Sequence, residues 1–445
     1  MSVDKKLNTL IVGLGKTGLS CARFLAARGV PVAVTDSRDF PPGLAALEQE
    51  FPGMAVFVGG FDPAAFAAAQ QLVVSPGVSL REPLIAQAIG RGVPVLGDIE
   101  LFARHAAAPV VAITGSNGKS TVTTLVGEMA KHAGRNVRVG GNLGEPALDL
   151  ISTAEPDLYV LELSSFQLET TSSLNAAAAT VLNISVDHMD RYLDMNEYAA
   201  AKQRIFHGDG VMVLNIDDPV VMGMAQTGRR TARFGLGEPE FKDFGIMQRV
   251  HGPWLARDSE PLLPVAEVRI KGMHNVANAL AALALGDAVG LPMEAMLQTL
   301  REFPGLPHRS QWVAEKDGVA WYNDSKGTNV GATLAALQGM PGKVVLIAGG
   351  LGKGADFTPL RQAAMDRARA VVLIGRDAPL IEAALAGVTP VVHAADMEDA
   401  VAQACRLAQP GDVVLLSPAC ASFDMFSGYE ERGNVFTNAV LKVTA

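Results

Sequence analysis

Cysteine is scarce in this chain: Cys21, Cys405 and Cys420 are three among 445 residues, odd in number and far apart. That argues against a disulfide framework, supplies no metal-ligand spacing, and fits thiols kept in a reducing compartment. Basic clusters are missing too. Against 46 acidic residues stand 37 Lys and Arg, a formal net charge of −9. A nucleic-acid binder would need concentrated positive charge to neutralise phosphates. Long apolar runs are also absent. The most apolar stretch, Val276 to Val289, is broken by Gly286 and Asp287 and is too short to cross a bilayer. The opening segment, MSVDKKLNTLIVGLG, passes directly into a strand pattern without the features of a secretory signal. These absences lead us to expect a cytoplasmic protein that engages neither nucleic acid nor membrane.

What is present is abundant core material, 49% hydrophobic and only 19% charged. Short runs rich in Val, Ile and Leu alternate with Ala- and Leu-rich helical stretches. Thr9–Val12, Val32–Thr35, Leu72–Val74, Val110–Thr114, Leu158–Leu163, Val211–Leu214, Val344–Ala348, Val371–Ile374 and Val413–Leu416 read as strands. Continuous apolar runs of this length suit strands buried on both faces of parallel α/β sheets. The length suggests about three domains, and we expect them at 1–107, 108–308 and 309–445.

In the first block, TLIVGLGKTG is a strand followed by Gly13-x-Gly15-x-x-Gly18 opening a helix. Such a turn brings a helix N-terminus up to a diphosphate. Asp36 ends the second strand, where a carboxylate can accept bonds from a ribose or a base. The motif does not separate a nicotinamide dinucleotide from a UDP-sugar, since both carry a diphosphate and a ribose.

The second block opens on VVAITGSNGKST. Gly115 and Gly118 free backbone amides to surround phosphate, Lys119 supplies a point charge, and Ser120 offers a hydroxyl to Mg2+. The loop is shorter than the usual GxxxxGK[ST], because Ile113 stands where the first glycine belongs. Glu162 closes the apolar strand LYVLE, where a carboxylate is costly to bury unless paired or metal-bound. Asp187, His188 and Asp190 follow a strand in a loop that could reach the same phosphates. Lys202 lies on a stretch that reads as a helix, where a lysine ordinarily reads as a solvated charge. Asn275 and Asn278 share a face at the start of an apolar helix; capping and nucleotide contact both remain open for them.

The third block carries polar groups at its strand ends, in WYNDSKGTN, AGGLGKGADF and LSPACASFDMFSGYEERG. Asp324, Lys326, Thr328, Lys353, Ser422 and Tyr429 fall where a doubly wound sheet collects ligands. Two lysines and two hydroxyls suit a small dianion such as an acidic amino acid.

GLGKTGLS, SPGVSL, TGSNGKST, GGNLGEP, ELSSFQLETT, DHMDRY, AAKQRIF, GMHNVANALAA, PHR, NDSKGTN and SPACASFDMFSGYEERG together resemble the Mur ligase family over nearly the full length. The resemblance implies an α/β protein of three domains: a Rossmann-like N-terminal domain for a UDP-substrate, a P-loop-type central ATPase sheet, and a Rossmann-like C-terminal domain. It implies an ATP-dependent ligase of peptidoglycan precursor synthesis that forms an acyl phosphate and adds D-glutamate to UDP-N-acetylmuramoyl-L-alanine. It places Lys16, Thr17, Asp36, Ser37, Arg38, Ser75, Gly77, Asn142 and His188 against the UDP-substrate. Gly115, Ser116, Asn117, Gly118, Lys119, Ser120, Thr121, Asn275, Asn278, Arg309, Asp324 and Lys326 are placed against ATP, and Thr328, Lys353, Ser422 and Tyr429 against D-glutamate. Two Mg2+ ions would be held by Ser120, Glu162, His188 and Lys202, the last as a carbamate, with Lys119, Glu162, His188 and Lys202 carrying the chemistry. A monomer is expected. Tyr429 stands where phenylalanine is expected and Gly327 where alanine is commoner. The absence of a DNPR-type signature favours D-glutamate over a diamino acid. The rival readings are a folylpolyglutamate-synthase-like glutamate ligase, a nicotinamide-dependent oxidoreductase and a non-catalytic P-loop protein.

Overall fold

A computed structural model describes residues 8–151 and 154–444. Three sheets follow one another along the chain. The first comprises β1 (Thr9–Val12), β2 (Val32–Thr35), β3 (Ala55–Phe57), β4 (Gln71–Val74) and β5 (Val95–Leu96), in the order β3-β2-β1-β4-β5. All its pairings are parallel. Parallel neighbours require crossovers, and helices such as Lys16–Ala26 and Pro83–Gly90 supply them. The turns after β1, β2 and β4 therefore gather at one edge, the carboxyl ends of the strands.

The second sheet holds β6 (Val110–Thr114), β7 (Val137–Gly141), β8 (Leu158–Glu162), β9 (Ala178–Val181), β10 (Val211–Asn215), β11 (Thr231–Phe234), β12 (Phe244–Arg249), β13 (Gly252–Arg257) and β14 (Glu260–Pro264). Its order is β14-β13-β12-β11-β10-β9-β6-β8-β7. The strand that carries the phosphate loop, β6, lies between β8 and β9, so loops from both neighbours reach its end. The most apolar stretch, Val276–Val289, falls mostly in the helix Met273–Ala288, which packs on the helix Lys119–His132 with Ala279 through Leu285 fully buried. Among the described residues no helix is long and apolar enough to cross a membrane.

The third sheet holds β15 (Gln311–Lys316), β16 (Val319–Asn323), β17 (Val344–Gly349), β18 (Ala368–Ile374), β19 (Val391–His393) and β20 (Val413–Leu416), in the order β15-β16-β20-β17-β18-β19. Only the β15–β16 pairing in it is antiparallel. The antiparallel strands β12 to β15 escaped the reading of apolar runs. Each exposes part of its length and carries charged, Gly or Pro residues, as in GPWLAR and EPLLP, so none forms a continuous hydrophobic run.

Side chains tie the sheets together. Ser20 Oγ donates to Asp149 Oδ1 at 2.6 Å and Lys16 Nζ to the Gly144 carbonyl at 2.6 Å, linking the first unit to the second. Gln167 donates across the same boundary to the buried Asp98 at 2.8 Å.

Candidate active site

The first cleft lies along the carboxyl ends of β1, β2 and β4 and encloses about 540 Å3. Its lining includes Lys16, Thr17, Asp36, Ser37, Arg38, Ser75 and Gly77, and from the second unit Asn142 and Gln167. Gly18 is dictated by packing: a Cβ there would fall 1.9 Å from the Gly13 carbonyl oxygen. Asp36 Oδ1 accepts from the amide and Nε of Arg38, both at 2.9 Å, and its Oδ2 accepts from the Leu14 amide and from Arg38 Nη2, both at 2.7 Å. Burial alone would raise its pKa, but those bonds and the guanidinium charge bring it down to about 2. Two oxygens offer about four acceptor directions, and all four are taken. Asp36 therefore aims Arg38 and braces the glycine turn while lining the cleft.

The phosphate loop follows β6. Gly118 has φ +83°, and a Cβ there would meet Asn278 Oδ1 at 2.4 Å. Asn275 and Asn278 thus face the loop. Their helix has no side-chain cap bond, and instead Asn278 Nδ2 donates to Asn275 Oδ1 at 3.2 Å and Asn275 Nδ2 to the Lys271 carbonyl at 2.8 Å. Of the two readings left open for this pair, capping is set aside. Lys119 curls back, donating from Nζ to the carbonyls of Gly115 at 2.8 Å and Ser116 at 2.9 Å. Ser120 Oγ accepts from Arg309 Nη2 at 2.5 Å, across the boundary to the third unit. Both groups expected to meet phosphate or Mg2+ thus have protein partners.

Glu162 is nearly fully buried at the end of β8. The helix after it is fixed by a capping box between Ser164 and Gln167. Asn142 grips Glu162 twice, its amide donating to the Glu162 carbonyl at 2.8 Å and its Nδ2 to Oε1 at 2.7 Å. The other oxygen, Oε2, is buried without a hydrogen-bond partner. A carboxylate oxygen kept in that state fits a cation that binds through oxygen. Among the described residues no three His, Cys, Asp or Glu side chains converge into a ready-made cage. The expected set relies instead on one carboxylate, one imidazole, a hydroxyl and a modified lysine.

His188 adopts a left-handed backbone, φ +57°, and its ring packs edge-on to Phe166 at 4.8 Å. Burial lowers its pKa; nearby Asp187 opposes this and the Lys119 and Lys202 ammonium groups add to it. The neutral ring is thereby favoured, with a nitrogen lone pair to offer. Lys202 overturns its residue-level reading as a solvated charge. Only 2% exposed, it donates from Nζ to the Gly115 carbonyl at 2.9 Å and Thr114 Oγ1 at 3.3 Å, above the Tyr198 ring at 4.7 Å. Burial, with Lys119 adding to it, lowers its pKa well below 10.5, against the pull of Asp187 and Glu162. A lysine so placed spends time as a free amine, a nucleophile.

A second cleft of about 320 Å3 opens beside the phosphate loop, between the second and third units. Asn117, Gly118, Thr121, Asn275 and Asn278 meet Arg309, Asp324 and Lys326 in its walls. Asp324, buried, accepts from Ser417 Oγ at 2.8 Å and the Ser310 amide at 3.0 Å. Burial carries its pKa up to about 6 against those bonds. Lys326 Nζ lies 3.6 Å from the centroid of the Tyr429 ring, so a residue assigned to ATP and one assigned to D-glutamate adjoin. Burial, with Arg309 adding to it, brings Lys326 down to about 8. Loop 351–354 pairs with Ala421 through Leu351, which sets Lys353 and Ser422 on adjoining loops. Lys353 itself is exposed, with a left-handed backbone. Thr328 is half-buried, its amide donating to the Lys326 carbonyl at 2.8 Å.

Three residues that the reading did not single out belong to this region. Arg432, 1% exposed, holds Ser325 and the Cys420 carbonyl, joining the loops after β16 and β20. Arg191 donates to the Val78 carbonyl at 2.9 Å. Asn329 touches the phosphate loop. Each lay inside or beside a quoted segment, but polarity alone gave no reason to choose it.

Comparison with known proteins finds three family matches along the chain. Residues 7–97 match the family description "Mur ligase MurD-like, N-terminal domain", residues 113–286 "Mur ligase middle domain", and residues 308–420 "Mur ligase, glutamate ligase domain". A protein of Nitrosococcus oceani named UDP-N-acetylmuramoylalanine--D-glutamate ligase is 59% identical over 437 residues, 98% of this chain and 96% of that one. Proteins of the same name from Methylococcus capsulatus and Pseudomonas aeruginosa are 56% and 55% identical over 440 and 435 residues, covering 99% and 97% of this chain and 96% and 97% of theirs. In fold, the chain is similar to UDP-N-acetylmuramate-alanine ligase from Thermotoga maritima, at TM-score 0.59 and 18% identity, covering 98% of this chain and 100% of that one.

Proposed function

The chain belongs to the Mur ligase family, and from that premise we propose that it joins D-glutamate to UDP-N-acetylmuramoyl-L-alanine, driven by ATP, in peptidoglycan precursor synthesis. The observation that carries this reading is the Asn142–Glu162 contact. Asn142 lines the first cleft, and its Nδ2 lies 2.7 Å from Glu162 Oε1, beside the phosphate loop. A sugar-linked acid in the first cleft and a triphosphate in the second thus converge on one carboxylate.

A free carboxylate is a poor acylating agent because its leaving group would be an oxide. Attack of the substrate carboxylate on the γ-phosphorus of ATP yields an acyl phosphate and ADP. The amine of D-glutamate then adds to the carbonyl carbon, and phosphate leaves. The protein contributes positioning and charge to these transfers. Lys119 has only to exchange its loop carbonyls for phosphate oxygens, and Arg309 to leave Ser120 for the same anion. Glu162, His188, Ser120 and a carbamate on Lys202 would hold two Mg2+ ions, which neutralise phosphate charge when bound. The partnerless Glu162 Oε2 and the depressed pKa of Lys202 support that assignment. Lys16, Thr17, Ser37, Arg38, Ser75 and Gly77 face the UDP moiety, and Asn275, Asn278, Asp324 and Lys326 the nucleotide of ATP. Thr328, Lys353, Ser422 and Tyr429 receive D-glutamate. The protein acts as a cytoplasmic monomer, with functional units at 1–107, 108–308 and 309–445.

Identity above 55% over nearly full length to D-glutamate ligases favours this reading over a folate-type ligase or a non-catalytic nucleotide binder. The nicotinamide reading leaves the phosphate loop of the middle unit, Gly115 to Thr121, without a task. The test is phosphate release from ATP in the presence of UDP-N-acetylmuramoyl-L-alanine with D- or L-glutamate. Release and amide product are expected with the D-isomer; equal turnover with both isomers, or with neither, overturns the assignment.

A further inference from the structure

The loop that carries His188 is held from both sides by other units. From the first unit, the carbonyl of Val78 accepts from Arg191 Nη2 at 2.9 Å, and Arg81 Nη1 donates to the Arg191 carbonyl at 3.3 Å. From the third, Asn329 donates through its one amide nitrogen to Asp187 Oδ2 at 3.2 Å and to Asn117 Oδ1 at 3.3 Å. Asp187 uses its other oxygen to receive the His188 amide at 3.0 Å. Asn117 is the middle of the phosphate loop, itself clamped by Asn183 at 2.8 Å. His188 holds a backbone conformation that non-glycine residues adopt only where their surroundings impose it.

We propose that Asn329 is a positioning residue, a closure latch through which docking of the amino-acid unit sets the phosphate loop and the His188 loop in their working places. This rests on the ligase reading above and adds a residue and a coupling to it. Three features favour a latch over ordinary capping. The Asn329 side chain caps its own helix with Oδ1, which accepts from the Ala332 amide at 2.8 Å, so Nδ2 is surplus to capping and both its protons cross the boundary. Asn329 is 9% exposed, so these bonds do not compete with bulk water. Two residues on, a Cβ at Gly331 would lie 2.9 Å from Ser185 Oγ, which shows how closely the helix start approaches the loop.

The test is Asn329→Asp. Aspartate caps a helix as well as asparagine does, so the helix survives, while an acceptor now faces Asp187 and Asn117 Oδ1. Loss of a hydrogen bond to a charged group corresponds to about 10- to 100-fold. The variant is therefore expected to lose at least about ten-fold in kcat/KM for D-glutamate, with the Kd for UDP-N-acetylmuramoyl-L-alanine unchanged by calorimetry. Adding Asp187→Asn restores a donor opposite the new carboxylate and should recover much of the loss, which a merely destabilised fold would not do. Wild-type kinetics in Asn329→Asp, or a loss that Asp187→Asn leaves uncorrected, overturns the latch. Should Asn329→Asp not fold, Gly331→Val, which keeps Asn329 and wedges the boundary, must show the same loss; normal turnover then overturns it. If the wild-type protein makes no amide product, the ligase reading has failed instead. The latch is then read by small-angle scattering, where Asn329→Asp must be more open than wild type, and an unchanged profile overturns it.

Discussion

Lys202→Met should leave the protein at least as stable as wild type while removing its ligase activity. The amine is 2% exposed, and its hydrogen-bond partners are the Gly115 carbonyl at 2.9 Å and the Thr114 hydroxyl at 3.3 Å. Methionine keeps an unbranched chain of similar length. Relieving the desolvation of a buried polar group returns about 1–3 kcal/mol. Against it stands the loss of roughly 1 kcal/mol for the better of the two hydrogen bonds, and the Gly115 carbonyl retains Lys119 at 2.8 Å. The balance lies at about 0 to +2 kcal/mol, an unchanged or slightly higher Tm, at roughly 2–4 °C per kcal/mol for a domain of this size. Turnover should fall at least about 100-fold, as when one charge-stabilising group is removed from a reacting centre. Calorimetric melting beside the phosphate-release assay measures both. A Tm lowered by several degrees, or activity within ten-fold of wild type, would refute the reasoning. In Lys202→Ala, a short carboxylic acid should restore part of the turnover if a carbamate is the working group.

Lys119→Ala should abolish ATP-dependent phosphate release while leaving the Kd for UDP-N-acetylmuramoyl-L-alanine nearly intact by calorimetry; equal loss of both would contradict the separation of the clefts. Gly18→Ala places a methyl 1.9 Å from the Gly13 oxygen and should destabilise the first unit by about 1–3 kcal/mol, read as a lower melting transition that UDP-substrate only partly restores. Lys326 titrates near 8 in the folded protein, against an ordinary 10.5. As pH rises through about 8 its positive charge is lost, so kcat/KM should fall on that limb. Its contribution to stability has the opposite sense. Between about 8 and 10.5 the unfolded chain holds a proton that the folded chain has released, so stability rises with pH in that window, and Lys326→Met should remove that increment from the denaturation profile.

How much was legible depended on whether a feature was local. The buried strands Thr9–Val12 and Val110–Thr114, the phosphate loop and the strand-end Glu162 announce themselves, because continuous apolar runs and glycine turns carry their physical reason within a few residues. Lys202 does not: it sits in MNEYAAAKQ, a helix with no apolar stripe to mark an inner face, and its burial comes from the strand and loop packed over it. Asp36 was placed correctly at its strand end, but its saturation depends on where Arg38 turns. Asn329, passed over in NDSKGTN, caps its helix, and the second use of its amide arises only because another unit comes to meet it. Strands β12 to β15 lay beyond reach because half-exposed strands dilute the hydrophobic pattern.

The meeting of Arg309 with Ser120 has a further consequence. Lys119, Lys202, Lys326 and Arg309 crowd one region, where burial lowers the proton affinity of the three lysines, neighbouring cations add to it, and Glu162 opposes it. A polyanion placed among them offers these poorly solvated cations direct partners. Part of what draws a triphosphate in is that pairing, so even pyrophosphate should raise the melting temperature, and added salt should blunt the gain.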